Sequence, residues 1–316
     1  MATYNGAKYL KEQLDSFVAQ ICQPDELVIC DDGSIDETLV ILERFKKEAP
    51  FLVRVYQNSK NLGHTQNFSK AIELCQGDII FLSDQDDVWH PQKIKRVLTT
   101  FAEHPDAGYV FSDAILVDEN LTPTGSLWES INFSNYRYKN YIDGNQVAAM
   151  LNGGNFVYGN SLSFRASFRG LILPIVSTSW EFGHDTWISL LLSIVGARGI
   201  AIPEVLLSYR QHTQQVAGAG RKISFIKKIL KATKNKKKYF FGKAVDLRSI
   251  KDRAKMGSIN SIELLDDYIF HLEMRGSLYS MSRWAKMHSI YTEMKSGRYS
   301  RYSSSLKSVF KDIFST

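Results

Sequence analysis

The chain has 316 residues, 44% hydrophobic and 23% charged, ordinary values for a folded globular protein and enough chain for two domains, or for one large domain with an appendage. No apolar run reaches the ~18 residues of a membrane-spanning helix, and Met1 to Lys11 lack the apolar core of a signal peptide. The net charge of +6 is unevenly spread: Arg221 to Lys243 hold ten Lys or Arg and no acid, leaving about −4 on everything else. Cys22, Cys30 and Cys75 are scattered without metal-type spacing, which suggests a reducing cytoplasm.

Strand-like and helix-like segments alternate along the first half. Lys8 to Gln20 carries apolar residues at helical spacing. Glu26 to Cys30 reads as a strand, and Asp36 as the N-cap of a helix through Glu48. A strand over Leu52 to Tyr56, a helix over Thr65 to Cys75 and a strand over Ile79 to Leu82 follow. Pro91 suits the first position of a helix to about Glu103, and Gly108 to Ser112 forms another strand. Glu119 to Asn145 reads as a turn-rich loop region. Tyr158 to Phe164 reads as a strand, Asp185 to Val195 as an apolar helix, and short strands lie near Ile200 and at Val205 to Tyr209. This alternation predicts an α/β layer fold with a largely parallel sheet. Composition shifts near Ala217, so the chain divides into 1–216 and a basic, mainly helical 217–316.

Two of the strands run into acids. Asp84-Gln85-Asp86-Asp87 comes one serine after Ile79 to Leu82, and Asp31-Asp32-Gly33-Ser34 ends the Glu26 to Cys30 strand, with Gly33 supplying the tight turn. In open α/β sheets, ligands bind outside the carboxyl ends of the strands. Crowded carboxylates repel, and a cation or bound protons let them coexist. Mg²⁺ or Mn²⁺ suits oxygen ligands and substrate phosphates, so a metal-dependent site for a diphosphate compound is one reading. The plainer reading of each motif is a solvated turn.

Six segments in order resemble the family 2 glycosyltransferases, inverting enzymes of the GT-A (Rossmann-like) fold, over roughly residues 1 to 215. Ala2-Thr3-Tyr4-Asn5-Gly6 resembles the family's opening nucleotide loop, and Asp31-Asp32-Gly33-Ser34 its base- and ribose-binding turn. Asn61-Leu62-Gly63 with Asn67 resembles its following segment, and Asp84-Gln85-Asp86 its metal-binding Asp-x-Asp. His184-Asp185 sits where the family carries its catalytic acids, although His184 replaces what is more often an acid. Tyr209-Arg210-Gln211-His212 resembles the closing motif of a rhamnosyltransferase-like branch. A short apolar strand normally precedes the first loop, and here the chain starts inside that loop.

The resemblance implies a nucleotide-sugar donor held by Thr3, Tyr4, Asn5, Asp31, Asp32, Gly33, Asn67, Asp84, Gln85 and Asp86. Asp86 would coordinate Mg²⁺ or Mn²⁺, with His212 a further metal or phosphate contact, or else structural. Asp84 would touch the ribose or a metal-bound water. Asp185 is the candidate general base, kept ionised by the start of its helix, with Glu181 the nearest alternative. His184 would orient Asp185 or contact the acceptor. Asn155, in the Asn152 to Asn155 turn, would shape the acceptor pocket. Trp180 is open between sugar stacking and core, and Trp187 reads as core. One carboxylate base and one displacement imply inversion.

In the tail, Ile223, Phe225, Ile226, Ile229 and Leu230 interleave with lysines, a pattern that lies on anionic membrane. Nucleic-acid binding and a solvated helical hairpin are its rivals. Ser258 to Lys286 is helical in pattern, and Ser300 to Thr316 looks weakly ordered. The expected protein is a cytoplasmic transferase, peripheral on the inner face of the plasma membrane. It would move L-rhamnose from dTDP-rhamnose to a lipid-linked saccharide in surface polysaccharide synthesis, with no nucleic-acid partner. A UDP-hexose donor is the alternative. A sugar-nucleotide pyrophosphorylase would want a Gly-rich basic loop that the Asn5-Gly6 region lacks, and a non-enzymatic membrane or nucleic-acid binder is the rival of another class.

Overall fold

The computed structural model describes residues 1–133, 136–152, 155–177, 182–213, 215, 236–255, 257–303 and 306–314. Strands β1 (Ala2–Thr3), β2 (Glu26–Asp31) and β3 (Leu52–Gln57) form a parallel sheet in that order, connected by helices α1 (Ala7–Val18) and α2 (Thr38–Glu48). Val28, Ile29 and Cys30 are all buried, as befits a parallel strand covered on both faces. Ala2 pairs with Cys30, and the Met1 amino group donates to Val28 O at 2.7 Å, so the opening residues already act as sheet. Helix α3 (His64–Leu74) follows β3 and packs on β2.

The second sheet contains β4 (Ile79–Phe81), β5 (Val88–Trp89), β6 (Ala107–Val117), β7 (Pro123–Ser126), β8 (Ser163–Arg165) and β9 (Arg198–Arg210), in the order β4-β8-β6-β9-β5 with β7 on β6. Ala2 N donates to Ser83 O at 3.3 Å, which joins the two sheets. The parallel expectation describes the first sheet; in the second, β6 and β9 run parallel and their neighbours antiparallel. The β6–β7 connection shows why: residues 118–122 make a turn, and a parallel return needs a crossover of about a dozen residues.

Several expected boundaries move. Helix α4 is Lys93–Glu103, two residues after Pro91. Glu37, not Asp36, occupies the N-cap position of α2, although the Asp36 carboxylate accepts from Thr38 N at 3.1 Å. The stretch 119–145, expected as loop, holds β7 and helices α5 (Leu127–Ser130) and α6 (Tyr136–Asp143). Its aromatics are the reason, because Trp128, Phe133 and Tyr141 cluster around Phe111 and Phe156 in the core. After α7 (Gln146–Leu151), Gly159–Ser161 is a 3-10 turn rather than strand. Helices α8 (Arg169–Ile172) and α9 (His184–Ile194) follow. The two short strands expected near Ile200 and Val205 are one strand, β9, whose register against β6 shifts at Ser112/Asp113.

Helices α10 (Lys236–Arg253) and α11 (Ile259–Ser277) pack on this body. Leu247, Ile250, Leu265 and Leu272 share one apolar core with Leu191 and Ile194 of α9. Helices α12 (Arg283–Lys295), α13 (Arg298–Tyr302) and α14 (Leu306–Ile313) enclose a smaller core of Leu278, Ile290, Tyr299 and Val309. The expected disorder after Ser300 is corrected by α14, which Val309 and the buried Arg275–Asp312 ion pair anchor. Trp180, Glu181, the 216/217 boundary and residues 221–235 of the basic segment lie outside the described residues.

Trp187 is fully buried and donates its indole N–H to Ile172 O at 3.0 Å. Trp187→Ala should lower the unfolding free energy by about 3–5 kcal/mol, read from urea denaturation.

Candidate active site

The rim where strands β1, β2, β4 and β9 end is braced by side chains from distant segments. Asn5 takes a left-handed backbone (φ +47°), its N–H donates to Ser34 Oγ at 2.8 Å, and its side-chain oxygen accepts from Ile35 N at 2.9 Å. The Gln85 carboxamide pairs with both polar groups of the Tyr4 backbone, at 2.8 and 3.0 Å. A Cβ on Gly6 would press on that carboxamide, so a larger residue there would displace Gln85 from its bonds to the Tyr4 backbone.

Asp31 and Asp32 face inward. Asp31 accepts from Thr3 Oγ1, Gly33 N and Ser34 N, and Gly33 turns the chain at φ +83°. Asp32 accepts from Asn58 Nδ2, Leu62 N and Gly63 N at 2.7–2.8 Å, and Asn67 bridges Asn58 to Cys30 O. All three side chains are buried, so Asp31, Asp32 and Asn67 shape the loops, while Tyr4 is about half exposed.

The acid loop is fixed from beneath by a residue that the sequence reading gave no role. Asp87 is fully buried and accepts from Asn160 Nδ2 at 2.8 Å and Arg210 N at 3.1 Å. Burial first, then the fields of Asp86 and Asp84, push its carboxyl well above the usual range. Above it, His212 Nε2 meets Asp86 Oδ2 at 2.7 Å, joining residues 126 apart in the chain. Asp84 Oδ1 faces His64 Nε2 at 3.4 Å. Burial is the largest influence and opposes ionisation of Asp84, but the bond to His64 and the positive charges nearby together hold this carboxyl below its ordinary value.

His64 leads to the second half of the site. Its ring centre lies 5.0 Å from that of His184, which stacks on Phe68 at 4.0 Å. His184 is buried, and among the described residues neither ring nitrogen has a hydrogen-bond partner. Burial, then the neighbouring His64, pushes its pKa down to about 3, so it is a neutral ring. The expectation that His184 orients Asp185 is therefore corrected: Asn155 Nδ2 and Gly159 N reach Asp185 Oδ2, at 3.4 and 3.2 Å. Asp185 lies in the first turn of α9, and its Oδ1 accepts from Thr186 N at 2.6 Å. The helix start does not hold this carboxyl low. Burial outweighs the hydrogen bonds and raises it. Its partners Asn155 and Thr186 help line a cavity of about 60 Å³ with Phe182, Leu190, Lys243 and Tyr268, the last two from the C-terminal helices.

Asp86 offers a hard carboxylate oxygen and His212 an imidazole nitrogen 2.7 Å from it, and among the described residues no group of three or more His, Cys, Asp or Glu could hold a metal. Mg²⁺ is usually held by one or two carboxylates completed by substrate phosphate and water, and of this pair Asp86 is the ligand of that kind.

The sequence profile of Glycosyl transferase family 2 matches residues 1–170, and the chain belongs to that family. An uncharacterized glycosyltransferase of Nostoc sp. is 25% identical over 222 residues, 67% of this chain and 63% of that protein. The dTDP-rhamnosyl transferase RfbG of Shigella flexneri is 37% identical over 102 residues, 31% of this chain and 35% of its own. The chain thus spans less than two thirds of the Nostoc protein's length. Among solved structures, S. aureus TarS 1-349 in complex with UDP-GlcNAc superposes with TM-score 0.56 at 15% identity, over 99% of this chain and 80% of that one. Mannosyltransferase PcManGT from Pyrobaculum calidifontis, in complex with GDP-Man and Mn²⁺, gives 0.53 at 16% identity, over 94% and 74%. The fold is GT-A.

His64, Asp87, Asn160, Lys243 and Tyr268 were not singled out from sequence. His64 directly follows Asn61-Leu62-Gly63 and Asp87 extends the acid motif, so both carried a local signal. Asn160, Lys243 and Tyr268 carried none.

The depressed pKa of His184 makes a stability prediction. Between pH 6.5 and 3 the unfolded chain binds the proton that the folded chain refuses, so stability falls as pH drops. Between pH 7.5 and 5 this costs about 2 kcal/mol, and urea titrations at the two values should show that loss reduced in His184→Asn.

Proposed function

We propose that this protein is an inverting glycosyltransferase that moves a sugar from a nucleotide-sugar donor to a lipid-linked saccharide. The observation that carries this reading is a run of neighbouring residues from Asp86 to Asp185. Asp84 lies two residues before Asp86 in the acid loop, His64 faces Asp84 at 3.4 Å, and the His64 ring centre lies 5.0 Å from that of His184, the residue before Asp185. His64 is also close enough to Asp84, Asp185 and Asp86 for their charges to raise its pKa against its burial. A diphosphate end and a base end thus share one rim.

In this reading, the first loop and the Asp31–Ser34 turn cradle the nucleotide. Asp86 and His212 would hold Mg²⁺ or Mn²⁺, which supplies positive charge to the departing diphosphate. Asp185 takes the proton of the acceptor hydroxyl. The hydroxyl oxygen bonds to the anomeric carbon as the bond to the diphosphate oxygen breaks, and that electron pair leaves with the nucleotide. One displacement inverts the anomeric centre. The raised pKa of Asp185 makes it a stronger base, and Asn155 and Gly159 aim its Oδ2. Acceptor entry beside Asp185 uses the cavity shared with Lys243 and Tyr268. The partial likeness to a dTDP-rhamnosyl transferase favours dTDP-rhamnose as donor. Residues 1–216 would be the catalytic domain and 217–316 a membrane-association region in surface polysaccharide synthesis.

Nucleotide release from a panel of dTDP-, UDP- and GDP-sugars, on membranes carrying lipid-linked saccharide, tests this. Release from dTDP-rhamnose should need Mg²⁺ or Mn²⁺, stop with chelator, and fall about 100-fold or more in Asp86→Ala. Asp185→Asn should lower kcat by about 10²–10⁴ with KM little changed. The acid limb of the wild-type kcat/KM profile should lie above the ordinary carboxylate pKa of about 4, because the base must lose its proton first. Release from no donor would refute the reading.

A further inference from the structure

The last long helices turn apolar side chains outward. Helix α12 buries Ile290 and Glu293 and exposes Trp284, Met287, Tyr291 and Met294, with Trp284 88% exposed. Steps of three, four and three residues put these four on one helical face. Helix α14 buries Val309 and Asp312 and exposes Leu306 and Phe310, and Phe314 follows just past its end, the three four residues apart and 61%, 61% and 76% exposed. The two helices pack on each other through Ile290 and Val309, so the stripes belong to one small body.

The charge on this body is one-sided. From residue 278 to the end of the sequence the acids are Glu293 and Asp312. Both are buried: Glu293 meets His271 and Arg298, and Asp312 accepts from Arg275 and Tyr299. Arg283, Lys295, Lys307 and Lys311 are exposed on the same two helices. Lys237 Nζ donates to Ser280 Oγ at 2.6 Å, which brings the Lys236–Lys238 cluster to the foot of α12. The outer surface is therefore apolar and cationic, with its carboxylates withdrawn.

We propose that α12 and α14 form a docking face for an anionic lipid bilayer. The aromatic and aliphatic side chains enter the boundary between headgroups and acyl chains, and the flanking cations meet lipid phosphates. A second copy of the chain would set like charges against one another, and a nucleic acid would answer the cations but leave the apolar stripes exposed. The proposal deepens the membrane part of the proposed function, placing the contact in residues 283–314, and it needs no sugar chemistry.

The test uses the full chain and vesicles of phosphatidylcholine, with or without phosphatidylglycerol, in a co-sedimentation assay without donor or acceptor. Wild type should bind the anionic vesicles, more weakly at high salt. Trp284→Ser with Phe310→Ser should bind about tenfold or more weakly, with its thermal unfolding checked alongside. Brominated lipid should quench tryptophan fluorescence in wild type and much less in Trp284→Phe, a conservative variant that keeps an aromatic ring. Absence of wild-type binding, equal binding by the double variant, or quenching unchanged in Trp284→Phe would overturn the proposal. So would a wild-type dimer that the double variant dissolves, or oligonucleotide binding lost with the same substitutions. The transfer assay is separate, so loss of vesicle binding and loss of sugar turnover are told apart.

Discussion

The arrangement of the rim depends on the burial of Arg210. Its guanidinium is 1% exposed and lies over the Tyr9 ring, donating to Asp86 O, Glu119 O and the Glu12 carboxylate. Its own backbone N–H donates to Asp87. One side chain thus ties helix α1, the acid loop, the turn after β6 and the end of β9. A buried cation left without its partners costs about 3–5 kcal/mol, so these segments hold a common geometry. Asp86 can meet His212 because Arg210 carries the chain from β9 past the acid loop.

Burial also assigns different tasks to similar groups. Asp87, Asp84 and Asp185 are all acids at one rim, yet Asp87 and Asp185 are raised and Asp84 is lowered. The difference lies in partners. Asp84 faces His64, Asp87 sits beneath two other carboxylates, and Asp185 begins a helix where burial outweighs its hydrogen bonds from Asn155, Gly159 and Thr186. Separated pKa values among neighbouring carboxyls divide charge-holding from proton-taking roles. His184, neutral and stacked on Phe68, fills space beside Asp185.

The C-terminal helices contribute to two surfaces. Through Leu247, Leu265 and Leu272 they extend the central core, and through Lys243 and Tyr268 they line the cavity beside Asp185. Helices α12 and α14 keep their acids for internal ion pairs and leave cations and aromatics outside. Among the described residues, no helix is long and apolar enough to cross a membrane.

Much of the first half was legible in the chain itself. Apolar runs such as Leu27 to Cys30 bury both faces of a strand, so their hydrophobicity alone marks them. Gly33 marked a turn, and its φ is positive. Acids after strand ends marked the rim, and six ordered motifs marked the family. The aromatic stretch 119–145 was misread as loop because its rings serve a tertiary cluster rather than a local period. Asp31, Asp32 and Asn67 hold hydrogen bonds to partners up to 37 residues away, contacts that no local pattern encodes. The pKa of Asp185 depends on which apolar atoms surround it, which a helix-start signal does not encode. Periodicity, turn chemistry and motif order are local properties, so the sequence by itself determined the α/β layers, the acid-lined rim and the family. Electrostatics and long-range contacts depend on distance in space, so only the tertiary structure decided which carboxyl is raised, that Asp87 and Arg210 hold the acid loop, and that the C-terminal helices share the cavity beside Asp185.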